Sequence, residues 1–334
     1  MKISILGTGQ WGTSLAQVLT DAGNEVLMWG RNSDVVNQIN KEHRNEKSLP
    51  GIELAQSITA TLNIKEAFSE TGAILLALPA QSLRVNLTSW SEDFPKYLPV
   101  ISSLKGVELG TQLRMTEVIQ EILKIPADQI SIITGPNLAR EVILRQPVGA
   151  VAASESQELA DLTAQIFSAP YFRVYTSTDV IGCELAGAAK NVIALAVGMA
   201  IGLGFGENTQ ALVITRGLSE LTRLGMARGA NPLTFVGLAG VGDLLATCGS
   251  ALSRNRTFGE ALGKSGSMDN ALTSVSSTVE GVATASSIVE LAHSVGIGVP
   301  IMEAVAEVVT NKITPTEAMI QLMNEATGAE IEEQ

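Results

Sequence analysis

Short apolar runs alternate with helical patterns along the first half of the chain, and the alternation stops near residue 179. Lys2–Leu6 (KISIL) and Glu25–Trp29 (EVLMW) come first. Ile58–Thr61, Ala73–Leu78, Leu98–Ser103, Ile130–Thr134, Val148–Ala153 and Tyr171–Tyr175 follow. Continuous runs such as AILLAL, with no polar alternation, belong to strands covered on both faces. Strands separated by helical patterns predict a doubly wound, mainly parallel sheet, whose ligands gather outside the C-terminal ends of its strands. After Tyr175 strand signals cease. Asp179–Gly204 reads as one long helix of Ala, Gly, Val and Ile, and Asn208–Ala227, Glu280–Ser294, Pro300–Thr310 and Pro315–Met323 read as further helices. Two domains are expected, an α/β domain over 1–178 and an all-α domain over 179–334. The terminal EIEEQ, Glu330–Gln334, is expected to fray into solvent.

The first strand runs into Gly7-Thr8-Gly9-Gln10-Trp11-Gly12, then a helical pattern from Thr13 to Asp21, then the second strand. Strand–GxGxxG–helix–strand is the dinucleotide-binding, or Rossmann, fingerprint in the context it requires. Gly7 permits the tight turn, Gly9 lets the backbone approach a pyrophosphate, and Gly12 lets the helix pack close to the strand. The diphosphate would rest on the free N–H groups of the helix N-terminus. The bland alternative is three glycines in an ordinary turn. NAD sites place an acid at the end of the second strand to bond the ribose 2′-hydroxyl, and here that segment is Gly30-Arg31-Asn32. Arg31 suits the extra phosphate of NADP, so NADP(H) is the expected preference with NAD(H) tolerated. A solvated surface arginine is the alternative.

Composition narrows the choices. The chain has 334 residues, 46% hydrophobic and 17% charged, which is globular. A net charge of −12 excludes a general binder of nucleic acid or anionic membrane, so an anionic ligand must be held by local cations. Cys183 and Cys248 form no disulfide framework, and with His43 and His293 they make no metal cluster. No metal is expected. The N-terminus enters a strand directly, without the layout of a signal peptide. The apolar run Val192–Phe205 is too short to span a bilayer, and Glu184, Lys190 and Asn191 interrupt the longer stretch around it. A cytoplasmic location is expected.

Lys190 and Asn191 are the polar residues that a buried helix should avoid. At helical spacing Lys190 has Cys183, Ala186, Gly187, Ile193 and Ala194 as neighbours, mostly small side chains that leave room beside the amine. Poor hydration there lowers an amine pKa into the range useful for proton transfer, whereas a lysine snorkelling to solvent is the bland alternative. Unusual residues also follow the strand ends: Leu78-Pro79-Ala80, Ser103-Leu104-Lys105-Gly106 and Gly135-Pro136-Asn137. Each could be simple turn chemistry, but Lys105 at the C-terminal end of a strand suits a ligand for an anionic substrate. In the helical half, GVGDLLATC (240–248) precedes Ser253-Arg254-Asn255-Arg256. Two arginines in so acidic a chain, beside hydroxyl, amide and backbone donors, would cradle a phosphate. They would equally make a hydrophilic helix start capped by Ser253.

Taken together, GTGQWG, SLKGVE, GPN, ELAGAAKNVIA, GVGDLLATC and SRNRTFG resemble, in order and over nearly the whole chain, the soluble bacterial type of NAD(P)-dependent glycerol-3-phosphate dehydrogenase. That resemblance implies a Rossmann domain plus a helical domain like that of 6-phosphogluconate dehydrogenase, a homodimer, a small phosphorylated substrate and a place in glycerophospholipid synthesis. It implies that Lys190 is the proton donor or acceptor and that Lys105 contacts both substrate and cofactor. Gly135, Asn137, Asp243, Ser253, Arg254 and Asn255 fall at substrate-binding positions. Gln10, Trp11, Arg31, Ala139 and Glu280 fall at cofactor positions, a role Arg254 shares. Gln10 stands where Ser is common, and Asn137 where Ser or Thr is common.

The expected reaction is reduction of dihydroxyacetone phosphate to sn-glycerol 3-phosphate, reversible with oxidised cofactor. Lys190 would protonate the developing alkoxide while Lys105 and Asn191 orient and polarise the carbonyl. Asp243 would accept from a substrate hydroxyl and from Lys190. Neither His43 nor His293 lies near a site motif, which disfavours a histidine base. The alternatives are a two-domain reductase of a carboxylate substrate, of the β-hydroxyacid dehydrogenase or ketopantoate reductase type, and a non-catalytic NAD(P) sensor.

Overall fold

A computed structural model of the protein describes residues 1–273 and 279–324; Glu330–Gln334 lies outside the described residues. Eight strands form one sheet in the order β3-β2-β1-β4-β5-β6-β7-β8. They are β1 (Lys2–Leu6), β2 (Glu25–Trp29), β3 (Thr59–Thr61), β4 (Ala73–Leu76), β5 (Val100–Ser102), β6 (Ile130–Thr134), β7 (Val148–Ser154) and β8 (Phe172–Ser177). β1 to β6 are parallel; β7 pairs antiparallel with β6, and β8 runs parallel to β7. The sheet therefore reverses direction once, near its end. The apolar runs after β4 and β5 overshoot the ladder. At β4, Pro79 has no amide hydrogen to donate, and the chain turns into the 3-10 turn Ala80–Ser82.

Helices follow from Val180 onward. The central one, Val180–Gly202, starts at Asp179, whose Oδ1 accepts from Gly182 N. With a mean hydropathy of 1.6 it is long and apolar enough to cross a membrane by composition, yet 89% of its most apolar window is buried. The helices Glu207–Ala227, Asp243–Gly249, Arg254–Ser265, Glu280–Ser294 and Pro300–Val309 surround it. Pro232–Gly249 passes the same compositional test, but Gly240, at φ −92° and ψ −105°, breaks it. Along the central helix, Val180 and Cys183 join the cluster of Ile132 and Ala153, and Gly187 lies against Thr134 at the end of β6. The helix thus climbs the sheet toward the C-terminal ends of the parallel strands.

The central helix and Arg254–Ser265 touch backbone to backbone. A Cβ on Gly198 would sit 2.1 Å from Arg256 O, and one on Gly202 2.3 Å from Glu260 O. From the other side, Cβ atoms on Gly259 and Gly263 would meet Leu195 O and Met199 O at 2.3 and 2.4 Å. Two glycine pairs four residues apart face each other across the crossing. This approach brings the N-terminus of Arg254–Ser265 beside Asn191.

Candidate active site

The strand ends and the central helix converge on three charged groups. Lys105, in the loop after β5, donates to Gly135 O (3.1 Å), beyond β6, and to Asp243 Oδ2 (2.7 Å). Lys190 donates to Asp243 Oδ1 (2.5 Å) and to Thr247 Oγ1 (2.8 Å). Asp243, 1% exposed, begins the helix Asp243–Gly249 and so holds two ammonium groups on its two oxygens. Gly187 leaves the path for Lys105: a Cβ there would lie 3.4 Å from the lysine Cγ.

The electrostatics suit proton transfer. Burial pushes the Lys190 amine down to about 8; Asp243 opposes the shift, and the neighbouring Lys105 adds to it. Two cations flanking one carboxylate leave the cluster net positive, which favours a ligand that brings negative charge. Cys248 lies beside the cluster but is inert, since burial raises its thiol to about 12.

A second constellation surrounds the start of Arg254–Ser265. Ser253 caps the helix by accepting from Arg256 N (3.3 Å), as the helix-start alternative requires, and Arg254 is exposed on the first turn. Helix-start geometry leaves the phosphate-cradle reading open, because a helix N-terminus is itself an anion site. Asn255 donates to Asn191 Oδ1 (2.9 Å) and accepts from Gly281 N (2.9 Å). Glu280 accepts from the backbone of Ala80, tying the helical half to the loop after β4. Burial raises its pKa, and both that bond and the Arg254 charge oppose the rise. Asn137 donates to Gly149 O (3.0 Å), while its Oδ1 is buried with no partner.

The glycine loop fits a dinucleotide. Gly7 adopts φ +131°, and a Cβ there would sit 2.2 Å from Ala77 O; one on Gly12 would meet Gly7 O at 2.4 Å. Gly9 faces open space, and as N-cap of Gln10–Asp21 it offers no side chain to the first-turn amides. The indole Nε1 of Trp11 is buried with no partner. Ala139 O accepts from Ser14 Oγ (3.0 Å), which brings the segment after β6 to this helix. At the end of β2, Arg31 is exposed, and Asn32 spends its carboxamide capping the next helix. No cluster of three or more His, Cys, Asp or Glu is found among the described residues.

Sequence reasoning brought Lys105, Lys190, Gly135 and Asp243 into view, and they meet at one place, while Asn191, next to Lys190 in the chain, bonds Asn255 at the neighbouring helix start. It missed Thr247, which shares a helix face with Asp243 at a spacing of four. That spacing was the available signal.

Comparison with known proteins accounts for both halves. A family profile for the N-terminus of NAD-dependent glycerol-3-phosphate dehydrogenase matches residues 2–160, and one for the C-terminus matches 179–320. The chain is 48% identical over 330 residues to a Thermobifida fusca protein named glycerol-3-phosphate dehydrogenase (NAD(P)+), with 98% of each chain covered. It is 49% identical over 306 residues to a Corynebacterium diphtheriae protein of the same name, covering 91% of this chain and 92% of that one. The crystal structure of glycerol-3-phosphate dehydrogenase from Coxiella burnetii superposes with a TM-score of 0.92 at 32% identity, over 97% of this chain and 99% of that one. The chain belongs to the NAD-dependent glycerol-3-phosphate dehydrogenase family.

Proposed function

We propose that the protein interconverts dihydroxyacetone phosphate and sn-glycerol 3-phosphate with NAD(P)(H), and that the Lys105–Asp243–Lys190 cluster is its catalytic centre. The observation that carries this is a buried lysine paired with Asp243 and lowered toward neutrality, in a chain whose first strand runs into a dinucleotide-type glycine loop. The amides of Gln10, Trp11 and Gly12, with Gly7 and Gly9, would hold the pyrophosphate; Arg31, Lys105, Ala139, Arg254 and Glu280 would contact the rest of the dinucleotide. When bound, that group supplies the hydride for reduction and accepts it in oxidation.

Lys190 holds the proton at Nζ and gives it to the oxygen of the former ketone. Asp243 keeps the lysine charged and in place, and Thr247 fixes its direction through a second hydrogen bond. Lys105, Gly135, Asn137 and Asn191 would bind and orient the carbonyl end. Ser253, Arg254 and Asn255, at the helix N-terminus, would hold the phosphate. Binding energy from that remote phosphate then fixes the geometry of the reacting carbon.

Oxidation of NADPH and of NADH by dihydroxyacetone phosphate, followed by absorbance, tests the assignment. Turnover with wild type is expected, faster with NADPH if Arg31 faces a 2′-phosphate. Lys190→Ala should lose about 10²–10⁴ in kcat. Near-normal turnover in that variant would remove Lys190 from the mechanism. We further propose a cytoplasmic homodimer on the strength of the family resemblance; sedimentation at micromolar concentration should give twice the mass of one chain.

A further inference from the structure

The geometry points to Glu184 as the positioning residue that holds Lys105 against the central helix. Glu184 is 6% exposed and sits on the central helix, yet its partners all come from the α/β half. Arg114 Nη1 donates at 2.6 Å, Thr116 Oγ1 at 2.6 Å and Thr116 N at 2.9 Å. Thr116 N belongs to the first turn of the helix Met115–Leu123, so a side chain of one domain satisfies a helix start of the other. A buried carboxylate costs several kcal/mol unless it is paired and fully hydrogen-bonded; these three donors offset part of that cost, and burial still raises the carboxyl pKa.

The connection from Glu184 to Lys105 is short. Arg114 pairs with Val107 across an antiparallel bridge, and Glu108 N donates to Leu113 O (2.9 Å), closing 107–114 into a tight turn. Lys105 lies at the root of that turn. Val107 O also accepts from Gln81 Nε2 and from Ser287 Oγ, each at 2.9 Å, so the root is tied to both domains. On the central helix, Glu184 anchors the turn, Gly187 leaves the path along which the Lys105 stem passes, and Lys190 meets Lys105 across Asp243. Positions three residues apart thus fix the turn, the passage and the partner.

This rests on the proposed role of Lys105 in substrate binding, and the test separates the two. Kinetics with dihydroxyacetone phosphate and reduced dinucleotide would be measured for Glu184→Gln, Thr116→Val, Lys105→Met and the double variant Glu184→Gln/Lys105→Met, alongside thermal melts. Glu184→Gln keeps the shape and removes the charge. It should lower kcat/KM for the ketone on the order of tenfold. It should also move the basic limb of the kcat profile, because a displaced Lys105 no longer repels Lys190. Thr116→Val should act in the same direction with smaller size. In the Lys105→Met background the Glu184 substitution should change kcat/KM by less than about twofold. The same tenfold loss in that background, or no loss from either single variant, overturns the inference. Unimpaired turnover of Lys105→Met would instead overturn the role of Lys105.

Discussion

Lys190 titrates where its chemistry needs it to. In the role proposed for it, Lys190 would need the ammonium form for reduction and the free amine for oxidation, and burial lowers the amine from 10.5 to about 8. The kcat for ketone reduction should therefore fall as pH rises through about 8, and the kcat for oxidation should rise over the same interval. Rate profiles in both directions would show this; a flat profile there would detach the lysine from the chemistry. Stability carries the opposite imprint to an ordinary ion pair. The unfolded chain holds this proton more tightly, so the lysine's contribution to stability improves as pH climbs from about 8 toward its ordinary value. The lysine itself stands out in the sequence as a charge inside an apolar helix. Its partner Asp243 comes into view only through the family resemblance, because it is 53 residues away and only the packing of two helices joins them.

Single elements show a similar division. β1, β2 and β6 end where their apolar runs end, and the helix Glu280–Ser294 has the predicted bounds. The reversal at β7 is invisible in the same pattern, since a buried run such as VGAVAAS reads identically in either direction. A second feature beyond sequence patterning is the start of Pro300–Val309. Its amides at Ile301 and Met302 are accepted by Glu220 of a different helix, at 2.8 and 3.3 Å. Burial raises this carboxyl to about 7, against the pull of those two amides. The folded state thus binds a proton that the unfolded chain has already lost between about pH 4.5 and 7, and stability declines across that window. Glu220→Gln should remove the decline and raise stability above pH 7 by about 1–3 kcal/mol. Denaturant melts of both proteins across that range would decide it, and an unchanged pH slope would place the charge elsewhere.

For the whole molecule, net charge and site charge have opposite signs. A chain at −12 gathers Lys105 and Lys190 on the single carboxylate of Asp243, so the phosphate would be what draws and seats the substrate. A ketone of the same carbon skeleton without the phosphate should suffer in kcat as well as KM, and a loss confined to KM would mean that the helix start at Ser253 does not govern the reacting end. The reversal of the sheet has its own consequence. Because β7 and β8 run opposite to β1–β6, the chain leaves β8 at the far edge and the central helix must travel back along the sheet before Lys190 comes level with the end of β6. The segment between Ser177 and Lys190 is therefore a gauge with phase as well as length. Each inserted or deleted residue would turn the amine by about 100° and displace it by about 1.5 Å, swinging it off Asp243. Loops elsewhere can lengthen over the protein's history, but this stretch has to keep its count.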